Sequence, residues 1–382
     1  MRLSDCHNID DLRRLAKQRL PWPVFDYIDG AADDEITKTR NTSAFDEVDL
    51  VPDVLAGVSD IDTSRQIMGR DSALPLVLSP TALQRAFHRD GERAVARAAQ
   101  KFGIWFGISS LATLSIEEIA ALTNGPKLFQ LYVHKDKGLN ASMIERCREA
   151  QFDALALTVD TIVSGKRERC LRSGFTTPPR FSASSLWSYA TRPRWTLDYV
   201  FGPKFRLPNL DGHVQEGSGK SVSIQDYFNT MLDTGMDWDT AARIRQDWGG
   251  TFALKGVMSA ADARRAVEIG ADAIWISNHG GRQLDGSRAP FDQLDEIVDA
   301  VGGEIEIILD GGVRRGTHIL KSLASGATAA SGGRLYLYAL AAAGQPGVER
   351  AISILKEEIE RGMRLMGVAS IDQLTADRLR WR

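Results

Sequence analysis

The chain is poor in cysteine. Its 382 residues hold three, Cys6, Cys147 and Cys170, with no Cys-x-x-Cys or zinc-like spacing. That argues against a disulfide framework and leaves no metal site to expect. No uninterrupted apolar run reaches the ~18 residues that crossing a bilayer requires. Basic and acidic residues nearly cancel, 47 against 50, for a net charge of −3, so the electrostatic footprint of a nucleic-acid binder is missing. No Gly-x-Gly-x-x-Gly follows an apolar run, which counts against a dinucleotide fold. The first twenty residues mix charges early and lack the apolar stretch of a secretory signal, so a cytoplasmic location is expected. What remains is ordinary soluble composition, 43% hydrophobic and 25% charged, ample for a large core.

From residue 74 onward, short apolar runs alternate with amphipathic segments. The runs are Leu74–Leu78, Ile104–Ile108, Leu128–Tyr132, Ala154–Val159, Phe252–Leu254, Ala273–Ile276, Ile305–Leu309 and the small-residue run Ala327–Ala330. Near-continuous apolar strands alternating with helices imply a parallel sheet buried on both faces. Eight such units predict an α/β fold, a (β/α)8 TIM barrel, with an open doubly wound sheet as the alternative. Helices are predicted over 9–19, in the 24–29 region and after the Gly30 break, with a helical N-terminal extension as the result. Two more are predicted over Leu335–Ala343 and Gly347–Met366, with Pro346 as the start signal of the second. Residues 45–72 read as irregular or short β pieces.

The alternation breaks at 172–238, which separates the fourth and fifth runs by about ninety residues. This stretch interleaves aromatics (Trp187, Tyr189, Trp195, Tyr199, Phe201, Phe205) with Arg180, Arg192, Arg194, Lys204 and Arg206. The chain is expected to form one barrel domain over 1–382, with 172–238 as a flexible loop or lid. Two readings of the insertion stand: a lid over the barrel, or a surface for a membrane interface or an electron-acceptor partner.

The chemistry gathers around Ala273–Gly286, AIWISNHGGRQLDG. An apolar strand turns polar within one residue and delivers His279 and Arg282 through a Gly-Gly bend. His279 is a candidate proton acceptor and Arg282 a fork suited to a carboxylate. The plainer alternative is a loop histidine that satisfies a backbone group. In a barrel, reacting groups sit at the C-terminal ends of strands. Those ends here carry Pro80, Thr81 and Ala82; Ser109; Gln130 and Tyr132; Thr158 and Asp160; Lys255; Ser277 and His279; Asp310, Gly311 and Gly312; Gly333 and Arg334. Leu309–Gly316 (LDGGVRRG) and Ser331–Arg334 each open into a helix. Glycine amides, a helix N-terminus and arginines make a phosphate cradle, although tight turns with surface arginines would read the same.

SNHGGRQLD (Ser277–Asp285), LTVDT (Leu157–Thr161), LKGV (Leu254–Val257), LDGGVRRG (Leu309–Gly316) and FQLYVHKD (Phe129–Asp136) closely resemble the FMN-dependent L-2-hydroxy acid oxidising enzymes, the family of L-lactate dehydrogenase, glycolate oxidase and mandelate dehydrogenase. The resemblance runs from about Ile9 to Leu374 and weakens only across 172–238. It implies FMN as cofactor. It implies that His279 takes a proton from substrate, at Cα or at the hydroxyl, and that Asp160 stabilises the resulting imidazolium. Arg282 and Arg167 would hold the substrate carboxylate with Tyr27, and Tyr132 would bond the substrate oxygen. Lys255 would stabilise negative charge on the reduced flavin. Pro80, Thr81, Ala82, Ser109, Gln130, Thr158 and Ser277 would line the flavin ring and ribityl chain. Asp310, Gly311, Gly312, Arg314, Gly333 and Arg334 would hold ribityl and phosphate. Taken singly, Tyr27 and Tyr132 could be core tyrosines, Asp160 a helix cap and Lys255 a buried ion-pair partner. Leu111 stands where members often carry an aromatic residue, which suggests an altered pocket wall. His88, His134, His213 and His318 have no motif support and are read as structural or surface.

The expected activity is oxidation of an L-2-hydroxy acid, L-lactate first, to the 2-keto acid, with electrons passed to a quinone or cytochrome. An oxidase that uses O2 and makes H2O2 is the close alternative; a flavin-free phosphate-binding isomerase and a non-catalytic scaffold are the remote ones. A homotetramer and peripheral membrane contact through 172–238 complete the expectations.

Overall fold

The computed structural model describes residues 1–175, 183–210 and 230–382. Arg180, His213 and the other residues of 176–182 and 211–229 lie outside the described residues, and with them part of the 172–238 insertion.

Eight strands form a closed parallel barrel: β1 Leu76–Thr81, β2 Trp105–Ser109, β3 Lys127–Leu131, β4 Ala154–Thr158, β5 Thr251–Val257, β6 Ala273–Ile276, β7 Glu306–Asp310 and β8 Ala329–Gly332. They follow one another around the ring in chain order, and β8 closes on β1 through Ala330 opposite Leu76 and Gly332 opposite Leu78. Closure rules out the open doubly wound sheet. Every residue of β2, β3, β4, β6 and β8 is buried, which is why β2, β4 and β6 read as near-continuous apolar runs.

Side chains alternate between two cores. Val77, Trp105, Leu128, Ala154, Ala156, Ala253, Ala273, Trp275, Ile308 and Ala329 point into the barrel. Leu76, Leu78, Phe106, Leu155 and Leu157 point outward and join the helical shell. Two indoles against many alanines fill a narrow interior that could not accept large residues from every strand. Ile67 and Met68, from the hairpin Arg65–Ile67 and Arg70–Ser72, belong to the interior cluster. The Met68 N–H donates to the Glu306 carboxylate at 2.9 Å. The bottom is thereby sealed, and only the opposite mouth is left to build a site.

Before the barrel come α1 Ile9–Arg19, α2 Trp22–Asp29 and α3 Ile36–Ser43. The Asn8 side chain caps α1 by accepting from the Asp11 N–H, and Ile9, Leu12, Leu15 and Ala16 form its buried stripe. The shell continues with α4 Glu92–Phe102, α5 Ile116–Ala120 and α6 Lys137–Glu149. Between β4 and β5 lie α7 Glu168–Ser173, α8 Ala183–Ala190, α9 Pro193–Phe201 and α10 Trp238–Trp248. Then follow α11 Ala260–Glu268, α12 Pro290–Val301, α13 Gly316–Ala324 and α14 Arg334–Met366. α14 leaves helical geometry at Ala343 and Gly344, so it is the two expected helices joined across a kink, and α1 packs on it.

Asp29, at the end of α2 and 1% exposed, ties this extension down. Its carboxylate accepts from Arg13 at 2.6 and 3.0 Å, from Arg169 at 3.1 Å and from the Tyr338 hydroxyl at 2.8 Å. Burial alone would raise its pKa; Arg13, Lys38 and Tyr338 outweigh that and hold it well below the usual carboxylate range. The anchor matters because α2 carries Tyr27 to the barrel mouth.

Candidate active site

A cleft of about 970 Å³, open to solvent, occupies the C-terminal mouth of the barrel. Its wall includes Pro80 and Thr81 at the end of β1 with Ala82 after it, Gln130 on β3 and Tyr132 just past it, Thr158 on β4 and Lys255 on β5. It continues through His279 and Arg282 after β6, Asp310, Gly311, Gly312 and Arg314 at β7, and Gly333 and Arg334 at β8. Tyr27 from α2 and Arg167, the residue just before α7, complete it. Seventeen of the twenty residues singled out from the sequence therefore share one cavity. The other three, Asp160, Ser109 and Ser277, stand behind its wall and hold residues that do line it.

His279 has φ +58°, the left-handed region, which turns its ring off the end of β6. The Ser277 hydroxyl steadies this bend by accepting the His279 N–H at 3.2 Å. Nδ1 lies 3.1 and 3.3 Å from the two oxygens of Asp160. A carboxylate can only accept, so Nδ1 carries the proton and Nε2 presents a lone pair. Burial lowers the imidazole pKa, and Asp160 opposes that by favouring the charged form. The ring is thus neutral near pH 7, with a counter-charge in place for the cation it becomes on taking a proton. Gly256 makes the close approach of Asp160 feasible: its φ is +111°, and a Cβ there would lie 2.7 Å from the Asp160 carboxyl carbon.

Arg167 and Arg282 form the positive side of the cleft. Arg282 donates from Nη1 to the carbonyls of Tyr27 at 2.7 Å and Gly30 at 2.9 Å, and its guanidinium lies 4.9 Å from the Tyr27 ring centroid. One edge of the fork is fixed by the C-terminal end of α2; Nε and Nη2 have no protein partner among the described residues. Arg167 is 9% exposed and has no carboxylate partner among the described residues. Burial first, and then the neighbouring Arg282, push its pKa down to about 10. Two guanidiniums side by side without a counter-ion need an anion between them. Tyr132 is buried, which raises its pKa, so its hydroxyl stays protonated and able to donate.

Lys255 is both a cleft residue and an ion-pair partner. Its Nζ lies 2.8 Å from Asp310 and 3.0 Å from the Ser277 hydroxyl. Asp310 also accepts from Ser79 and Ser277. Burial would raise the Asp310 pKa, but Lys255 and the hydroxyls bring it below its usual value. The Ser109 hydroxyl donates to Gln130 Oε1 at 2.9 Å, which fixes the amide with its NH2 toward the cleft.

The cavity fits FMN in three respects. Gln130 Nε2 and Thr158 Oγ1 are buried without a partner among the described residues, and both residues face the cleft where a polar ring edge could satisfy them. α14 begins at the cleft with no side-chain cap on its first turn; the Tyr336 N–H bonds the Gly333 carbonyl at 3.3 Å, which leaves the N–H groups of Arg334 and Leu335 for a phosphate. Gly312 has φ +78°, and a Cβ there would lie 1.9 Å from the Asn41 carbonyl oxygen, so only glycine permits this close turn. Arg314, with no carboxylate partner among the described residues, stands beside it. The side chain of Arg334 is already engaged: it donates to the carbonyls of Ile28, Gly30 and Gly280 at 2.9, 2.6 and 2.8 Å. It binds α2 to the β6 loop.

Sequence reasoning missed Ile28, Phe87 and Leu337, which also line the cleft; as apolar residues outside any motif they gave no signal. It also placed Leu111 in the pocket wall, whereas Leu111 is 2% exposed within the core. Its backbone bonds Leu83 and Ser109 instead.

Comparison with known proteins gives a consistent result. The sequence model of the FMN-dependent dehydrogenases matches residues 16–381. An L-lactate dehydrogenase of Alcaligenes faecalis is 40% identical over 376 residues, 97% of this chain and 97% of that protein. An L-lactate oxidase of Nostoc sp. is 39% identical over 376 residues, with the same coverage of both. Among solved structures, a monotopic membrane protein, (S)-mandelate dehydrogenase, superposes with a TM-score of 0.94 at 34% identity, covering 99% of this chain and 100% of that one.

Proposed function

Because the chain belongs to the FMN-dependent dehydrogenase family and oxidises 2-hydroxy acids with FMN, we propose that its substrate is L-lactate and its electron acceptor a quinone or cytochrome. The observation that carries the site is the pairing of a neutral, carboxylate-backed His279 with two unneutralised guanidiniums in one cleft. In this reading Arg167 and the open edge of Arg282 bind the substrate carboxylate, with Tyr27 beside them. Tyr132 donates to the substrate oxygen. His279 Nε2 takes the proton, and Asp160 stabilises the imidazolium. FMN, when bound, takes up the two electrons that leave the substrate. Pro80, Thr81, Ala82, Gln130 and Thr158 hold its ring; Ser109 and Ser277 act through Gln130 and Lys255. Lys255 supplies fixed positive charge beside the ring, and Gly311, Gly312, Arg314 and Gly333 hold the phosphate end with the first turn of α14.

L-lactate is favoured because relatives that match 97% of the chain at 39–40% identity, the Alcaligenes and Nostoc proteins among them, are named for it. The acceptor reading rests on the insertion. α8 and α9 expose Trp187, Leu197, Val200 and Phe201, the last at 81%, beside Arg192 and Arg194, a pattern suited to a membrane surface. No described helix is long and apolar enough to cross a membrane, so the contact would be peripheral. The Nostoc relative named as an oxidase supports a second reading, with O2 as acceptor. The test mixes enzyme anaerobically with L-lactate, glycolate or mandelate and then admits air. Fastest bleaching by L-lactate and slow recolouring in air support the reading. Preference for mandelate overturns the substrate, and immediate recolouring overturns the acceptor. Assembly as a homotetramer belongs to the same proposal; light scattering that returns the 42.0 kDa mass of one chain contradicts it.

A further inference from the structure

Behind the cleft lies a second hollow, of about 620 Å³, and Phe87 forms part of the wall of both. Phe87 is 1% exposed, and its ring centroid is 6.0 Å from that of Tyr27. The far wall is α9. Trp195 and Tyr199 line the hollow with rings stacked at 5.0 Å. Trp195 Nε1 donates to the Ala86 carbonyl at 3.0 Å, fixing α9 to the segment that runs from β1 to Phe87. The same helix exposes Leu197, Val200 and Phe201 to solvent.

The polar lining is one-sided. Arg19, Arg85, Arg89 and Arg194 meet a single carboxylate, Asp198, which Arg89 holds at 3.4 Å. Among the described residues Arg19, Arg85 and Arg194 have no carboxylate partner, and Arg85 Nε is buried without a hydrogen-bond partner. Burial, and then the facing Arg194, lower the Arg19 pKa. Such a set of cations favours a ligand that carries or acquires negative charge.

We propose that this hollow docks the headgroup of a quinone, the electron acceptor of the reaction; the inference rests on the dehydrogenase reading above. Stacked rings suit a flat headgroup, unneutralised guanidiniums favour a ring that gains electrons, and the apolar outer face of α9 offers a path for a prenyl tail. Phe87 separates this headgroup from the cleft by one side chain. The overall exchange balances. The hydroxy acid loses its Cα and hydroxyl hydrogens as two electrons and two protons and gains a C=O bond; the two quinone carbonyls become the two hydroxyls of the quinol.

The test uses the flavin-loaded enzyme, reduced anaerobically with dithionite so that no hydroxy acid is involved, and mixed with 2,3-dimethoxy-5-methyl-1,4-benzoquinone. Wild-type reoxidation should saturate with quinone. In an Arg19→Gln/Arg194→Gln variant it should slow by about tenfold, as expected for loss of ~1.4 kcal/mol, while bleaching by L-lactate keeps its wild-type rate. In the oxidised enzyme the same quinone should quench tryptophan fluorescence, and Trp195→Phe should remove most of that quenching. Fast wild-type reoxidation with both variants unchanged overturns this site and leaves the acceptor reading standing. A wild-type enzyme that the quinone does not reoxidise overturns the acceptor reading and the site with it.

Discussion

Replacing Arg282 with lysine separates the contact its guanidinium makes with α2 from the carboxylate binding proposed for it. In the native cleft Nη1 bridges the Tyr27 and Gly30 carbonyls at 2.7 and 2.9 Å, while Nε and Nη2 have no protein partner among the described residues and are the edge proposed to hold the substrate carboxylate. Lysine keeps the charge but brings a single ammonium on a flexible stem. It can stay with the carbonyls at the end of α2 or reach a carboxylate, and it cannot hold both in the fork geometry. The loss is one charge-assisted hydrogen bond in a partly buried site, about 1.5–3 kcal/mol. At ~1.4 kcal/mol per factor of ten, the half-saturating L-lactate concentration should rise about 10- to 150-fold. The assay is anaerobic stopped-flow bleaching of the flavin across a lactate series. Flavin content should stay at the wild-type level, since none of the phosphate-end contacts is touched. Because Tyr27 is tied to the same guanidinium, the limiting rate should fall too, by a smaller factor. Unchanged half-saturation would refute the reasoning, as would loss of flavin with normal lactate affinity in the remaining holoenzyme.

Three further outcomes are expected. Asp160→Asn removes the group that holds the His279 pKa up against burial. The base must be neutral to act, so activity is lost as pH falls through that pKa. The acid limb of the bleaching rate should therefore move to lower pH in the variant, with a lower plateau because the imidazolium has lost its counter-charge; a limb that moves to higher pH contradicts this. Gly312→Ala places a Cβ 1.9 Å from the Asn41 carbonyl oxygen and should yield folded protein that purifies with little FMN; wild-type flavin content would count against the cradle. His318, stacked on Phe45 at 4.3 Å, has its pKa pushed from 6.5 down to about 3 by burial. Its proton is then bound by the unfolded chain and not by the native one between these values. Its effect is absent above 6.5 and becomes a growing destabilisation as pH falls. Relative to His318→Gln, the wild type should lose about 2 kcal/mol between pH 6.5 and pH 5, read from urea midpoints; parallel pH curves would contradict it.

The barrel was legible because its strands are buried on both sides, so apolar runs and strands coincide. The discrepancies fall where polar residues take part in the sheet. β1 runs on through Ser79, Pro80 and Thr81, with a register shift between Leu78 and Thr81 against β2. β5 extends past Lys255 to Val257 because that charge is neutralised inside by Asp310. β8 is built of Ala329, Ala330, Ser331 and Gly332, and a side chain at Gly332 would meet Leu335 at 2.3 Å; closeness of packing, not hydrophobicity, selects those residues. Ionisable cleft residues were legible because their chemistry has few uses away from a site. The apolar wall was not, since Phe87 and Leu337 look like any core residue until the fold opens a cavity beside them. Nor could spacing reveal that the Arg334 guanidinium serves the carbonyls of α2, since that contact joins residues about three hundred positions apart.

The account stands on His279 as the group that takes the substrate proton beside bound FMN. His279→Gln keeps a side chain of similar reach but removes the base. Purified with its flavin and mixed anaerobically with L-lactate, the variant should stay yellow while the wild-type enzyme bleaches. Bleaching of the variant at the wild-type rate would contradict the central claim.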